Sequence, residues 1–155
     1  MPQIQSLREH LVAQLRGGQA YDTFDDIVGE FPPDLRGAVP DKAEHSAWQI
    51  LEHMRLSLRD ILEFSKNEDG SYAEKNWPDD YWPKDPNPPD STSWPHSVKA
   101  YQQDLEEMQE LVQAGDLFAK FPWGQGQTLL RETMLAADHA AYHLGQLVIL
   151  RRLVG

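Results

Sequence analysis

Residues 128–154 read TLLRETMLAADHAAYHLGQLVILRRLV, and this stretch decides the fold class. It holds no proline, which matters because an interior proline costs a helix about 3 kcal/mol. It closes on Arg151 and Arg152, where cations suit the carbonyl end of a helix dipole. A helix from near Thr128 to Leu153 or Val154 is expected. Proline placement sorts the remainder of the chain. Six of the eleven prolines lie between Pro78 and Pro95, and none falls in 41–77 or 123–155. The two proline-free stretches are therefore the places for long helices.

Within 41–77, Ala47, Ile50, Leu51, Met54, Leu58, Ile61 and Leu62 recur at helical period. This predicts a second helix that begins after Pro40, with Asp41 and Glu44 in a capping-box-like relation, and ends near Asn67. A first helix runs from about Gln3 to Arg16, with Ile4, Leu7, Leu11 and Leu15 on one stripe. Gly17-Gly18 interrupts it, residues 23–28 suggest resumption to about Phe31, and Pro32-Pro33 stops it. A third helix starts around Pro95, with Ser93 or Trp94 near its cap. It carries Val98, Tyr101, Leu105, Met108, Leu111 and Val112, and ends by Gly115. Residues 69–94 have no period of 2 or 3.6. Yet Tyr72, Trp77, Tyr81, Trp82 and Trp94 argue against disorder, since disordered segments are poor in aromatics. The expectation is an ordered excursion pinned to the body by its rings. No segment alternates β-branched residues between turns, so no strands are expected. The fold class is all-α: a four-helix bundle with a long crossover loop between helices 2 and 3, forming one domain over 1–155.

Composition narrows the function. A chain of 155 residues buries roughly 70% of its unfolded surface, enough for a core without a staple. Twenty-five acidic residues against 14 basic ones give a formal charge of −11. A nucleic-acid groove or a polybasic membrane patch needs clustered Lys and Arg, so both are disfavoured. There is no cysteine, which excludes disulfides, thiolate metal sites and a cysteine nucleophile. The N-terminal residues lack the pattern of a secretory signal, and no apolar run is long enough to span a bilayer. A cytoplasmic location is the expectation.

Chemistry is carried by the histidines. His139 and His143 stand four apart on the fourth helix, so they project about 40° apart and one turn along, toward the same side. A first-row metal can use such a pair. His53, near Ile50 and Met54, is placed for a facing helix to deliver it as a third ligand. The same spacing also fits a solvated helix face, or two core-edge rings bonded to carbonyls. A zinc-protease motif would need glutamate directly after His139; that position is Ala140, so that reading fails. His45 lies eight residues before His53, about 12 Å along the axis, too far to share one ion; lining the pocket mouth or helping to start the helix are its two readings, and the structural one suits it better. His10 and His96 have no partner at ligand spacing.

The block Asp138-His139-Ala140-Ala141-Tyr142-His143-Leu144-Gly145-Gln146-Leu147-Val148 resembles the last-helix signature of the DinB-like metal-binding proteins. His45-Ser46-Ala47-Trp48-Gln49-Ile50-Leu51-Glu52-His53 is similar to that family's histidine-bearing helix. The spacing of the blocks, the Trp-Pro loop between them and the chain length also agree. The resemblance implies a four-helix bundle of up-down-down-up type, with one divalent metal held by His53, His139 and His143. Three neutral nitrogens leave a coordination position open, and zinc and nickel both suit them.

Around such a site, Gln49 and Gln146 are the better candidates for orienting a ligand or lining a pocket. Asp60 and Glu132 share the histidine side but are expected to be solvated or paired on the bundle rim. Tyr142 is a candidate through its hydroxyl. Gly145, costly inside a helix, suggests close packing of another backbone. The tryptophans of 77–94 would either roof the metal or pack on the bundle end.

Two functions follow. In one, the protein is a metal-dependent enzyme acting on a small molecule, similar to the family's thiol S-transferases or hydrolases. With no cysteine in the chain, the thiol would be an external low-molecular-weight cosubstrate. In the other, the protein is a non-catalytic module of the stress-response type that binds a metal or a small molecule. The resemblance also suggests a homodimer, for which the first helix's apolar stripe would serve, although the monomer core needs that stripe too.

Overall fold

A computed structural model describes all of residues 1–155. The chain forms five α-helices: α1 (Pro2–Arg16), α2 (Phe24–Gly29), α3 (Ala47–Ser65), α4 (Ser93–Ala114) and α5 (Leu129–Val154). Single 3₁₀ turns occur at Pro33–Leu35 and Asn67–Asp69. There is no strand; an isolated bridge joins Lys120 to Thr128. The bundle is helical, as the periodicity requires, and no helix is long and apolar enough to cross a membrane.

The chain leaves α1 at Gly17 and Gly18, both at positive φ (69° and 76°), a conformation glycine adopts without the steric penalty of a Cβ. The interruption is complete: α2 is a separate helix with its own capping box, in which Thr23 and Asp26 each bond the other's backbone N–H. On α1, Leu11, Val12 and Leu15 are buried in the core of the same chain. Leu11 and Leu15 of the sequence stripe thus serve the monomer core, with Leu7 packed against it. Arg8 donates to the carbonyls of Val112 and Gly115, satisfying acceptors that the end of α4 leaves without helical partners.

α3 begins later than the sequence suggests. Its N-cap is Ser46, whose hydroxyl accepts the Gln49 N–H while the Gln49 side chain accepts the Ser46 N–H. The Asp41/Glu44 pattern is not used, because Lys42 has φ 68° and no right-handed helix passes through that conformation. α4 starts two residues ahead of Pro95, with Asp90 accepting from the backbone N–H groups of Thr92 and Ser93.

α3 is the central element. Thirteen of its 19 residues are buried, and its contacts lie on both α4 and α5. Leu51, Met54, Leu62, Met108 and Leu147 are enclosed completely, each contributing about 1.5–3 kcal/mol by leaving water. Between α3 and α4 the polar contacts rise together along both helices: Ser97 donates to Glu52, Arg59 pairs with Asp104, and Lys66 with Glu107. Between α1 and α4 they run oppositely, Arg8 meeting Val112 and Gly115 while Arg16 meets Gln109. Between α3 and α5 they also run oppositely. His53 meets His139, and Phe64 receives a bond from Trp123, which precedes α5.

Candidate metal centre

Two helices deliver the three histidines. His53 lies mid-way along α3, and His139 and His143 occupy successive turns of α5. Packing α3 against α5 brings His53 Nε2 within 3.0 Å of His139 Nε2, and sets the His139 and His143 ring centroids 4.4 Å apart. One ring nitrogen from each of the three lies within 4.8 Å of the others. His53 and His143 are buried, and His139 is the least enclosed of the three.

The outer ring nitrogens are fixed by acceptors. His53 Nδ1 lies 3.1 Å from the Tyr81 carbonyl, and His143 Nδ1 lies 2.7 Å from Gln146 Oε1. Neither oxygen can donate, so each Nδ1 carries the proton and each Nε2 keeps a lone pair. Burial, reinforced by the neighbouring imidazoles, holds His53 down at about 4 and His139 at about 3. Burial also lowers His143, against the opposing pull of Gln146. All three rings are thus neutral at pH 7, the form in which imidazole binds metal.

These residues fit a metal ion. At 3.0 Å, His53 Nε2 and His139 Nε2 either share a proton or flank a cation. Two imidazole nitrogens, each about 2.0–2.1 Å from one ion in tetrahedral array, lie about 3.3 Å apart, so a small opening of the pair would seat the ion. The donors are all nitrogen, with no carboxylate and no sulfur in the set, which suits zinc, nickel, copper or iron better than calcium or magnesium. The outer bonds to Tyr81 and Gln146 are the supporting contacts that metal-binding histidines usually make.

A family model for the DinB superfamily matches residues 17–147, a span that contains all three histidines. The chain belongs to the DinB superfamily. No curated protein and no solved structure matches it. The DinB blocks quoted from the sequence fall at the start of α3 and in the middle of α5, where the geometry needs them.

Other sequence candidates divide. Gln146 is at the site. Gln49 is not: its Oε1 is engaged at the helix cap and its Nε2 donates to the Pro83 carbonyl at 2.9 Å. Tyr142 is 66% exposed. Its ring meets the His143 ring at 4.9 Å, edge to face, but its hydroxyl makes no hydrogen bond, so only the ring contributes. Gly145 answers to no close packing, since a Cβ there would meet nothing within 4 Å. Glu132 is paired with Arg131 as expected, but it is buried rather than on a solvated rim. Asp60 is paired too, with Lys75 and two tyrosine hydroxyls. His10 and His96 are exposed.

The sequence offered the tryptophans of 77–94 as a roof over the metal or as packing on the bundle end, without separating them, and gave Tyr81 no role at the site. Trp82 lies face to face on His53, with centroids 3.8 Å apart and planes within 4°; it also stacks with His45 at 3.9 Å and meets His143 edge to face at 5.9 Å. His45, too distant to share an ion with His53, thus reaches the site through a stack. Trp77 approaches His53 edge-on at 5.9 Å, whereas Trp94 is buried in the core against Phe31. The aromatic count of 69–94 was the available signal, but it could not say which ring goes where.

Proposed function

We propose that His53, His139 and His143 hold one divalent metal ion, zinc or nickel, in an open site that acts on a small molecule. The chemistry would be that of a thiol S-transferase or a hydrolase. The carrying observation is the convergence of three neutral imidazoles from α3 and α5, with ring nitrogens within 4.8 Å and no fourth protein donor. When bound, such an ion lowers the pKa of a thiol or water at its open position and so makes a nucleophile available at neutral pH. The chain's own part is to hold the ligand set. Tyr81 and Gln146 orient two rings, Trp82 shields one face of His53 from water, and burial keeps all three rings unprotonated. Because the chain has no cysteine, a reacting thiol comes from a cosubstrate.

The same reading includes an up-down-down-up bundle in which the segment 70–92 is the crossover. The parallel register of the α3–α4 contacts, and the opposed registers of α1–α4 and α3–α5, support it.

Elemental analysis of protein purified without a histidine tag tests the metal. About one ion per chain is expected, lost in His139→Ala and His143→Ala; equal metal content in those variants would refute the ligand assignment. Turnover of a generic electrophile by the loaded protein with added low-molecular-weight thiols, or of an ester without them, tests the reaction. A loaded protein inactive in both assays would leave a metal-holding binding module.

A further inference from the structure

Asp60 lies seven residues beyond His53 on α3, about 10.5 Å along the axis, and makes no contact with the histidine cluster. Its carboxylate nevertheless gathers three groups from the irregular segment that follows the helix. Oδ1 accepts from the Tyr72 hydroxyl at 3.2 Å and from Lys75 Nζ at 3.1 Å, and Oδ2 accepts from the Tyr81 hydroxyl at 2.9 Å. Tyr81 is held at both ends, since its backbone carbonyl receives His53 Nδ1–H at 3.1 Å. The next residue, Trp82, is the ring stacked on His53.

We infer that Asp60 is a positioning residue for His53, acting through Tyr81 and Trp82, an inference that takes its functional meaning from the proposed metal centre. Residues 70–92 form no helix or strand, so beyond a turn in which the Tyr81 N–H donates to the Pro78 carbonyl at 3.0 Å no backbone ladder fixes where the Tyr81 carbonyl sits. Side chains at α3 and its cap tie the segment down on either side of His53. Ser46 and Gln49 hold it at the Pro86 and Pro83 carbonyls, and Asp60 holds it at Tyr81. Positions 49, 53 and 60 share one stripe of the helix, separated by about 40° or less. The outer two clamp the segment, and the middle one takes its carbonyl. Without the Asp60 clamp Tyr81 keeps only its turn bond to Pro78, the carbonyl is held less firmly against His53 Nδ1–H, and the imidazole gains freedom to exchange tautomer or turn over. Nε2 is then no longer held toward His139.

The test uses the full chain as Asp60→Ala and as Tyr81→Phe; the second keeps the ring and the carbonyl and removes only the hydroxyl–carboxylate bond. Nitrogen-15 spectra of the metal-free protein read the His53 tautomer directly. Wild type should show a single Nδ1–H form, and both variants a mixture. Zinc affinity, measured by chelator competition, should fall about 10- to 100-fold in each, the usual cost of losing an orienting contact. A single unchanged tautomer with unchanged zinc affinity in Tyr81→Phe would overturn the inference, even if the 70–92 segment became easier to cleave. If Asp60→Ala fails to fold, Tyr81→Phe alone decides. A wild type that shows the variant-sensitive tautomer but takes up no zinc would overturn the metal reading and leave the positioning role standing.

Discussion

Gln146 holds His143 by one bond of 2.7 Å to Nδ1. Leucine at that position would keep the bulk and helix propensity while removing the acceptor. Gln146→Leu is therefore expected to weaken zinc binding by about 10- to 100-fold without changing the far-ultraviolet circular dichroism. Chelator competition and a thermal melt check both halves. An unchanged affinity would mean that packing alone orients His143. The contrast with Gln49 is instructive, since both glutamines flank site histidines at helical spacing. What separates them is the groups that face each: Gln146 finds the ring beside it, whereas Gln49 is the third residue of a helix whose free N–H groups claim its oxygen.

Among the helices, α5 carries the clearest local cost. Gly145 sits in its interior, exposed, with open space where a Cβ would go. Gly145→Ala should stabilise the protein by about 1 kcal/mol, visible as a higher urea midpoint; a lower midpoint would reveal a partner that needs the glycine. Ser46→Ala at the start of α3 should act the other way and cost about 1 kcal/mol, because it removes the N-cap and also the hydroxyl that donates to the Pro86 carbonyl. These two positions show what the sequence could and could not disclose. The four long helices were legible because apolar spacing is a local property. The start of α3 was not, because Asp41-x-x-Glu44 and Ser46-x-x-Gln49 are equivalent as patterns. The choice depends on Pro86 and on the Trp48 N–H meeting the Arg36 carbonyl. His139 and His143 were legible as a pair on one helix. A tryptophan roof was legible only as one of two choices, and neither Trp82 as the ring on His53 nor the Tyr81 carbonyl as its acceptor was, since only the folded path of an aperiodic segment sets them there.

At the scale of the whole molecule, enclosing three imidazoles, two of them buried and His139 partly so, makes stability depend on pH. Free histidine titrates near 6.5, whereas His53 and His139 stay neutral in the fold down to about 4 and about 3. Between those limits the unfolded chain binds protons that the folded chain refuses. Stability of the metal-free protein is therefore full above about pH 6.5 and falls as the pH drops toward 4. The negative charge of −11 does not mask this, because most carboxylates remain ionised until the lower end of that window. Urea melts of metal-free protein at pH steps across the window should show the midpoint declining, with His53→Gln/His139→Gln flattening the decline. A wild-type midpoint that is constant from pH 6.5 to 4 would refute burial of neutral rings. Zinc should raise the whole curve, by about 2.7 kcal/mol at free metal a hundredfold above its Kd. That gain should shrink toward the acid end of the window, where protons compete for the same Nε2 lone pairs.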